Sequence, residues 1–240
     1  LHMSGLYAGL ALGGLGGYIA TIWGWRFGFH AFGAFGIVYS IILLYVLKDK
    51  EETPIVTQDI SRDSQGITPI GALKVLFSEK SFYILMFYFA ILGMVNWLVN
   101  GWLPTFLKEH FNLDLGAAGF SATGYIQIGS FIGVVAGGIL ADRWTRKNNK
   151  GRLYMLIIGF TLGAPFLFLM ASTNVFAIAI IAMLIFGLAR GFNDANLMPI
   201  LRQVADERYI ATGYGMLNFL STIVGGSMVY VGGALKDAEI

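Results

Sequence analysis

The sequence contains no cysteine, which excludes disulfides and cysteine-ligated metal sites. Charge is scarce as well: Asp, Glu, Lys and Arg make up 12% of the 240 residues, about half the share in a soluble globular domain. No grouping of His, Asp and Glu has metal-ligand spacing, no phosphate-binding glycine loop follows a strand, and no buried serine, histidine and acid triad can be assembled. Neither a cofactor, a metal nor an enzymatic activity is therefore expected. The alternation of apolar and polar residues that marks a membrane barrel is missing too. With a net charge of only +2, nothing points to a nucleic-acid partner.

What the chain does have is 56% hydrophobic residues, 15% aromatics and 32 glycines. Those proportions belong to an integral membrane protein. A bilayer core needs about 20 apolar residues in helical form, and hydropathy predicts an all-α membrane protein with seven transmembrane helices, near 3–22, 28–47, 80–107, 117–141, 153–171, 175–203 and 209–234. Cations set the expected orientation, because cytoplasmic loops are enriched in Lys and Arg. Of 16 such residues, most fall in the gaps that follow the second, fourth and sixth spans. The 48–79 linker and the 142–152 loop are accordingly expected to be cytoplasmic. Trp23, Trp25 and Trp102 then sit at outer ends, where amphipathic rings favour the interface. Leu1 stands where an initiator methionine would, and the chain stops just past its last span, so it reads as a fragment of a longer polypeptide.

In the linker, Pro69 follows Thr68 as a proline follows an N-cap, and a short interfacial helix is predicted with Leu73, Leu76 and Phe77 turned to lipid. A linker without regular structure is the alternative. Glycines recur every fourth residue at Gly5, Gly9, Gly13 and Gly17 and again at Gly129, Gly133 and Gly137. Each set lies on one helix face where backbones can approach closely, so the first and fourth spans are expected to face each other. Ser4-Gly5-Leu6-Tyr7 in the first span is echoed by Thr212-Gly213-Tyr214 in the last, a trace of internal repetition of the kind transporters carry.

Polar groups inside the spans are the candidates for function. Arg190 lies midway along the sixth span, where insertion scales assign an arginine roughly 2.5–3.5 kcal/mol. Asp194, four residues on, shares its helix face, and Asn193 and Asn196 lie close by. In one reading Arg190 grips an anionic group of a substrate while Asp194 orients it or carries a proton; in the other the two form a structural ion pair. Asn96 and Asn100 share a face of the third span, Tyr125 and Gln127 lie at similar depth in the fourth, and Asn218 lies in the last. Arg190, Asn193, Asp194, Asn96, Asn100, Tyr125, Gln127 and Asn218 are the eight candidate substrate-binding residues. His30, early in the second span, is either a titratable group coupled to proton movement or a satisfied interfacial residue, and His110 is expected to be solvated.

Between the fourth and fifth spans the chain reads Gly138-Ile-Leu-Ala-Asp142-Arg143-Trp-Thr-Arg146-Lys147. Asp142 sits at a helix C-terminus, where the macrodipole disfavours an anion. The start of the first span, near Ser4, offers free backbone donors on the same side. Asp142, Arg143, Arg146 and Lys147 are therefore the candidate conformational latch, with the alternative that they are only a topology signal. The segment resembles the Gly-x-x-x-Asp-Arg/Lys-x-Gly-Arg-Arg/Lys signature of the major facilitator superfamily, with Thr145 in place of glycine. Gly24-Trp25-Arg26 with Phe29 resembles that family's turn between its fifth and sixth helices. Trp102-Leu103-Pro104-Thr105 is similar to the seventh helix of its anion:cation symporter branch.

The resemblance implies a fragment spanning about the fifth to eleventh of twelve helices. Residues 1–47 would be the last two helices of the N-terminal half, 48–79 the inter-half linker, and 80–240 the first five helices of the C-terminal half. It further implies secondary active transport by alternating access. With Arg190, the expected substrate is a small organic anion, a sugar acid or other carboxylate, moved with H+ or Na+ across the cell (inner) membrane. A neutral sugar or drug-like solute is the alternative. A seven-span receptor is the reading from a different class, and the cation distribution opposes it by placing the first span's start inside.

Overall fold

The computed structural model describes residues 7, 9, 10, 13, 16–46, 69–148 and 150–238. Every regular element among them is helical. In hydrocarbon a backbone must satisfy its own N–H and C=O groups, and a helix does so within one segment. The elements are α1 (Gly16–Trp23), α2 (Trp25–Val46), α3 (Pro69–Ser78), α4 (Lys80–His110), α5 (Leu115–Thr145), α6 (Gly151–Ser172), α7 (Phe176–Val204) and α8 (Ile210–Asp237). Six of these, α2 and α4 to α8, are long and apolar enough to cross a bilayer. The first expected span, 3–22, is represented by α1 and by the helical positions Tyr7, Gly9, Leu10 and Gly13. The all-α membrane class read from composition is thus the class of the fold.

Gly24, with φ of +81°, supplies the left-handed turn that separates α1 from α2. At two other connections a carboxylate side chain caps the chain: Asp114 accepts from Ala117 N at 2.8 Å where α5 begins. Asp206 accepts from Arg208 N at 3.0 Å in the short turn before α8. Hydrogen bonds from the Arg208 side chain and backbone pull the exposed Asp206 carboxyl down to about 2, so it remains an anion at any physiological pH.

α7 lies between α5 and α6 and packs along both, while α8 packs along α4. The α5–α7 contact is made by backbone. Gly129, Gly133 and Gly137 present one face of α5, and a Cβ added at Gly133 would lie 2.9 Å from Leu188 Cα. From the opposite side Gly187 and Gly191 let α7 approach Ile126 and Ser130. The glycine face of the fourth span therefore meets the sixth span, not the first as spacing alone suggested. Four-residue spacing marks a face for close approach but carries no information about which helix fills it. The first span does reach the fourth, at a different place: Gly17 packs on Leu115 and Gly116, at the start of α5. Gly5 lies outside the described residues.

α3 forms as predicted, but Leu76 is not turned to lipid. It is 2% exposed and joins Ala72, Phe82, Leu201 and Leu217 in a core cluster. Gly213 leaves the space, its would-be Cβ lying 3.5 Å from Leu76 Cδ2. Val75 is among the α3 residues left outward. An amphipathic pattern shows that a face is apolar; whether lipid or protein covers it depends on the neighbours. Thr68 lies outside the described residues.

Candidate functional site

Because α4–α8 and α6–α7 meet each other only lightly, a cavity of about 270 Å³ remains between them. Phe89, Leu92, Val95 and Asn96 line it from α4, Phe160 and Leu167 from α6, and Tyr214, Asn218 and Ser221 from α8. Arg190, Asn193 and Asp194 line it from α7, and Tyr7 reaches in from the first span. Five of the eight candidate residues, Asn96, Arg190, Asn193, Asp194 and Asn218, thus converge on one space.

The polar centre is built around Asp194. Arg190 Nε lies 3.5 Å from Asp194 Oδ2, one helical turn away. The Tyr7 hydroxyl donates to the same carboxylate oxygen. Arg190 also stands over the Tyr7 ring, 6.0 Å from its centroid, in the range of a cation–π contact. Tyr88 donates to Asn193 Oδ1 at 2.9 Å, so the amide is held from α4. Among the described residues no hydrogen-bond partner takes the Nη atoms of Arg190, which leaves a planar pair of donors for a carboxylate. The rest of the wall is apolar, which suits a small solute held by a few polar contacts.

The remaining three candidates lie elsewhere. Asn100 donates to Asn96 Oδ1 at 2.7 Å and to Asn96 O at 2.8 Å, so its contribution is to fix the asparagine that does line the cavity. Tyr125 ends a π-helical stretch, Ser121–Tyr125, and its ring meets Phe120 at 6.1 Å. Gln127 is 2% exposed within α5, its Oε1 without a hydrogen-bond partner among the described residues. Depth along a span was legible for these residues; rotation about the helix axis was not.

Tyr7 and Tyr88 escaped the candidate set, although a signal for Tyr7 existed. The echo between the first and last spans ends in Tyr7 and Tyr214, and both tyrosines line the cavity. His110 is also more than a solvated residue: it stacks on Phe106 at 4.9 Å, and its Nε2 lies 3.2 Å from Thr173 O.

At the 142–152 loop, Asp142 Oδ1 pairs with Arg152 Nη2 at 2.7 Å. Arg152 Nη1 also donates to Asn196 Oδ1 at 3.3 Å, and Asn196, fully buried, donates back to Phe192 O at 2.8 Å. One arginine therefore joins the loop carboxylate to α7, two residues beyond Asp194. Arg143, Arg146 and Lys147 are exposed. Ser4, the expected partner of Asp142, lies outside the described residues.

Six membrane-length helices, four of which line a cavity with an intramembrane Arg–Asp pair, define a polytopic membrane protein with a solute-sized internal site. The chain belongs to the Major Facilitator Superfamily, whose sequence model matches residues 1–229. It is 28% identical over 224 residues to the uncharacterized transporter YybO of Bacillus subtilis (strain 168), covering 87% of this chain and 51% of that protein. It is 23% identical over 229 residues to a protein named as a probable L-galactonate transporter of Escherichia coli (strain K12), covering 90% and 50%. An MFS-type efflux pump of Mycolicibacterium smegmatis (strain ATCC 700084 / mc(2)155) is 25% identical over 232 residues, covering 93% and 51%. The chain spans about half the length of these curated relatives. All three relatives carry the name of a transporter or an efflux pump, and none that of an enzyme.

Proposed function

We propose that the protein is a secondary active transporter that moves a small organic anion, a sugar acid or another carboxylate, by alternating access with H+ or Na+ symport. The observation that carries this reading is Arg190 at the cavity wall, paired on one edge with Asp194 and, among the described residues, unpartnered at its Nη atoms. A substrate carboxylate can take those donors in the bidentate geometry that guanidinium favours. As it does so it competes with Asp194 for the same cation. Asp194 then either keeps the Tyr7 hydrogen bond as an anion or gains a proton, which is how a symported H+ would enter the cycle. The L-galactonate name attached to one relative agrees with an anionic cargo. Asn96, Asn193 and Asn218 would read the hydroxyls of such a solute. The excess of cations on the 48–79 linker and the 142–152 loop supports a cytoplasmic position for both in a cell (inner) membrane.

The apolar character of the remaining wall supports the second reading, a neutral sugar or drug-like solute with Arg190 and Asp194 as a structural pair. Uptake by the full-length protein in proteoliposomes separates the two. Under imposed proton or sodium gradients, sugar acids are expected to be carried and neutral sugars not. Arg190→Gln is expected to abolish uptake while the protein still inserts. Full uptake of a sugar acid by Arg190→Lys would rule out bidentate grip, and preferential uptake of neutral solutes would rule out the anion reading.

A further inference from the structure

A second concave feature lies on the outside of the α5–α6 hairpin, at the membrane face that carries the 142–152 loop. It is a shallow groove of about 460 Å³ lined by Trp144, Lys147, Asn148, Tyr154, Ile157 and Ile158. Its floor exists because of Gly151. A Cβ there would lie 2.5 Å from Thr145 N and 2.7 Å from Trp144 C, so only glycine lets the start of α6 rest on the end of α5. An Asx turn, with Asn148 Oδ1 accepting from Lys150 N at 2.9 Å, closes the hairpin tightly around it. From Gly151 the apolar wall descends through Tyr154 to Ile157 and Ile158 along one face of α6, about 10 Å along the helix axis at 1.5 Å per residue.

The charge at the mouth is one-sided. The single carboxylate of the loop, Asp142, is already taken by Arg152 at 2.7 Å, and Arg152 is in turn tied to Asn196. Arg143, Arg146, Lys147 and Lys150 are exposed, and none pairs with a carboxylate among the described residues. Four uncompensated cations therefore stand at headgroup height, with the aliphatic stem of Lys147 lining the groove and Trp144, a side chain that favours the interface, beside it. Below them runs a strip of apolar surface deep enough for the upper part of an acyl chain.

We propose that this groove binds an anionic phospholipid, its phosphate on Lys147 and the neighbouring loop cations and one acyl chain along Tyr154, Ile157 and Ile158. The shape needs an apolar tail and the charge needs an anion, and an anionic lipid of the adjoining leaflet has both. Binding there would hold the α5–α6 hairpin against the membrane surface while leaving Asp142 and Arg152 to their own pair. The inference is independent of the cargo and of the coupling ion, because it uses no cavity residue.

Titration of the purified protein in neutral detergent with phosphatidylglycerol or phosphatidylcholine, read by native mass spectrometry, tests it. Phosphatidylglycerol is expected to bind in preference. Lys147→Gln should weaken it about fivefold, the share of one interfacial cation, and replacing Arg143, Arg146, Lys147 and Lys150 together with Gln should remove the preference. Ile157→Ser should weaken both lipids, and Lys236→Gln, at the opposite membrane face, should change neither. Equal binding of the two lipids, or a phosphatidylglycerol preference that survives the fourfold replacement, would overturn the proposal. Displacement of the lipid by inorganic phosphate at comparable concentration would overturn it as well, since the site would then be read by the anion alone.

Discussion

The α5–α7 and α4–α8 interfaces both rest on glycine and both bring backbones together, Gly93 meeting Ser221 across α4–α8, but they differ toward the C-terminal end of α8. In α5–α7 the glycines face backbone: Gly129 meets Leu184, Gly133 meets Leu188, and Gly191 meets Val134 N and Gly133. In α4–α8 the outer glycines lie under an aromatic side chain. Gly232 and Gly233 sit beneath Trp102, whose Nε1 donates to Val229 O at 3.0 Å. Lys236 then stands 5.6 Å over the same ring and pairs with Glu109 at 2.7 Å. In a membrane, helices associate by close packing and not by the hydrophobic effect. A backbone-to-backbone contact cannot give without separating the helices, whereas side chains over glycine, as under Trp102, can rearrange. The cavity lies between the group that holds the first seam and the pair that holds the second.

The largest expected effect is at the rigid seam. In Gly133→Ala the new Cβ would collide with Leu188 O and lie 2.9 Å from Leu188 Cα. Alanine gains about 1 kcal/mol of helix propensity over glycine, while overpacking of this kind costs about 3 kcal/mol. A net loss of about 2 kcal/mol is expected, read as a lowered midpoint of thermal unfolding in detergent. Gly138→Ala, on the same helix with open space at its Cβ, should be neutral or slightly more stable. Equal behaviour of the two would mean that α5 and α7 are not in backbone contact.

Smaller is the effect of the same change at the yielding end of the α4–α8 seam. A Cβ at Gly232 would meet only side chains, Trp102 Nε1 at 3.0 Å and Leu98 Cδ1 at 3.1 Å. Trp102 must shift, and its hydrogen bond to Val229 O, a contribution of about 1 kcal/mol, is the main loss. Helix propensity offsets most of it. Gly232→Ala is therefore expected within about 1 kcal/mol of the unaltered protein, with a red shift of tryptophan emission as the indole loses its partner.

The contrast also explains what could be read beforehand. Membrane class, helix number and the depth of each polar residue follow from hydropathy and spacing, because bilayer thickness fixes length and hydrogen-bonding fixes helix. Arg190 and Asp194 were legible for the same reason: a charge in mid-span is costly enough to need a purpose. Partner identity was not legible. Gly133 was seen as a contact residue but matched to the wrong helix, and Leu76 was seen as apolar but matched to lipid. Gln127 was placed at cavity depth but faces inside α5's packing. From the sequence Arg152 is only one more loop cation, because its role depends on Asn196, 44 residues away. Each of these depends on rotation about a helix axis, which a few degrees of packing decide and no local pattern records.

The smallest expected effect separates two contributions to the yielding end of the α4–α8 seam. The Lys236 and Glu109 side chains are 45% and 57% exposed, and a solvent-exposed pair of this kind contributes about 0.2–1 kcal/mol, less at high salt. Lys236 also faces the Trp102 ring, which adds about 0.5 kcal/mol at an exposed site. Glu109→Gln removes the ion pair alone, whereas Lys236→Ala removes both contacts. Thermal midpoints should therefore fall slightly for Glu109→Gln and further for Lys236→Ala. In 1 M salt, where the Debye length shrinks to about 3 Å, the Glu109→Gln effect should vanish and the Lys236→Ala effect should persist in part. If both vanish together, the ring contact contributes nothing and the outer end of the α4–α8 seam is held by Trp102 and Val229 alone.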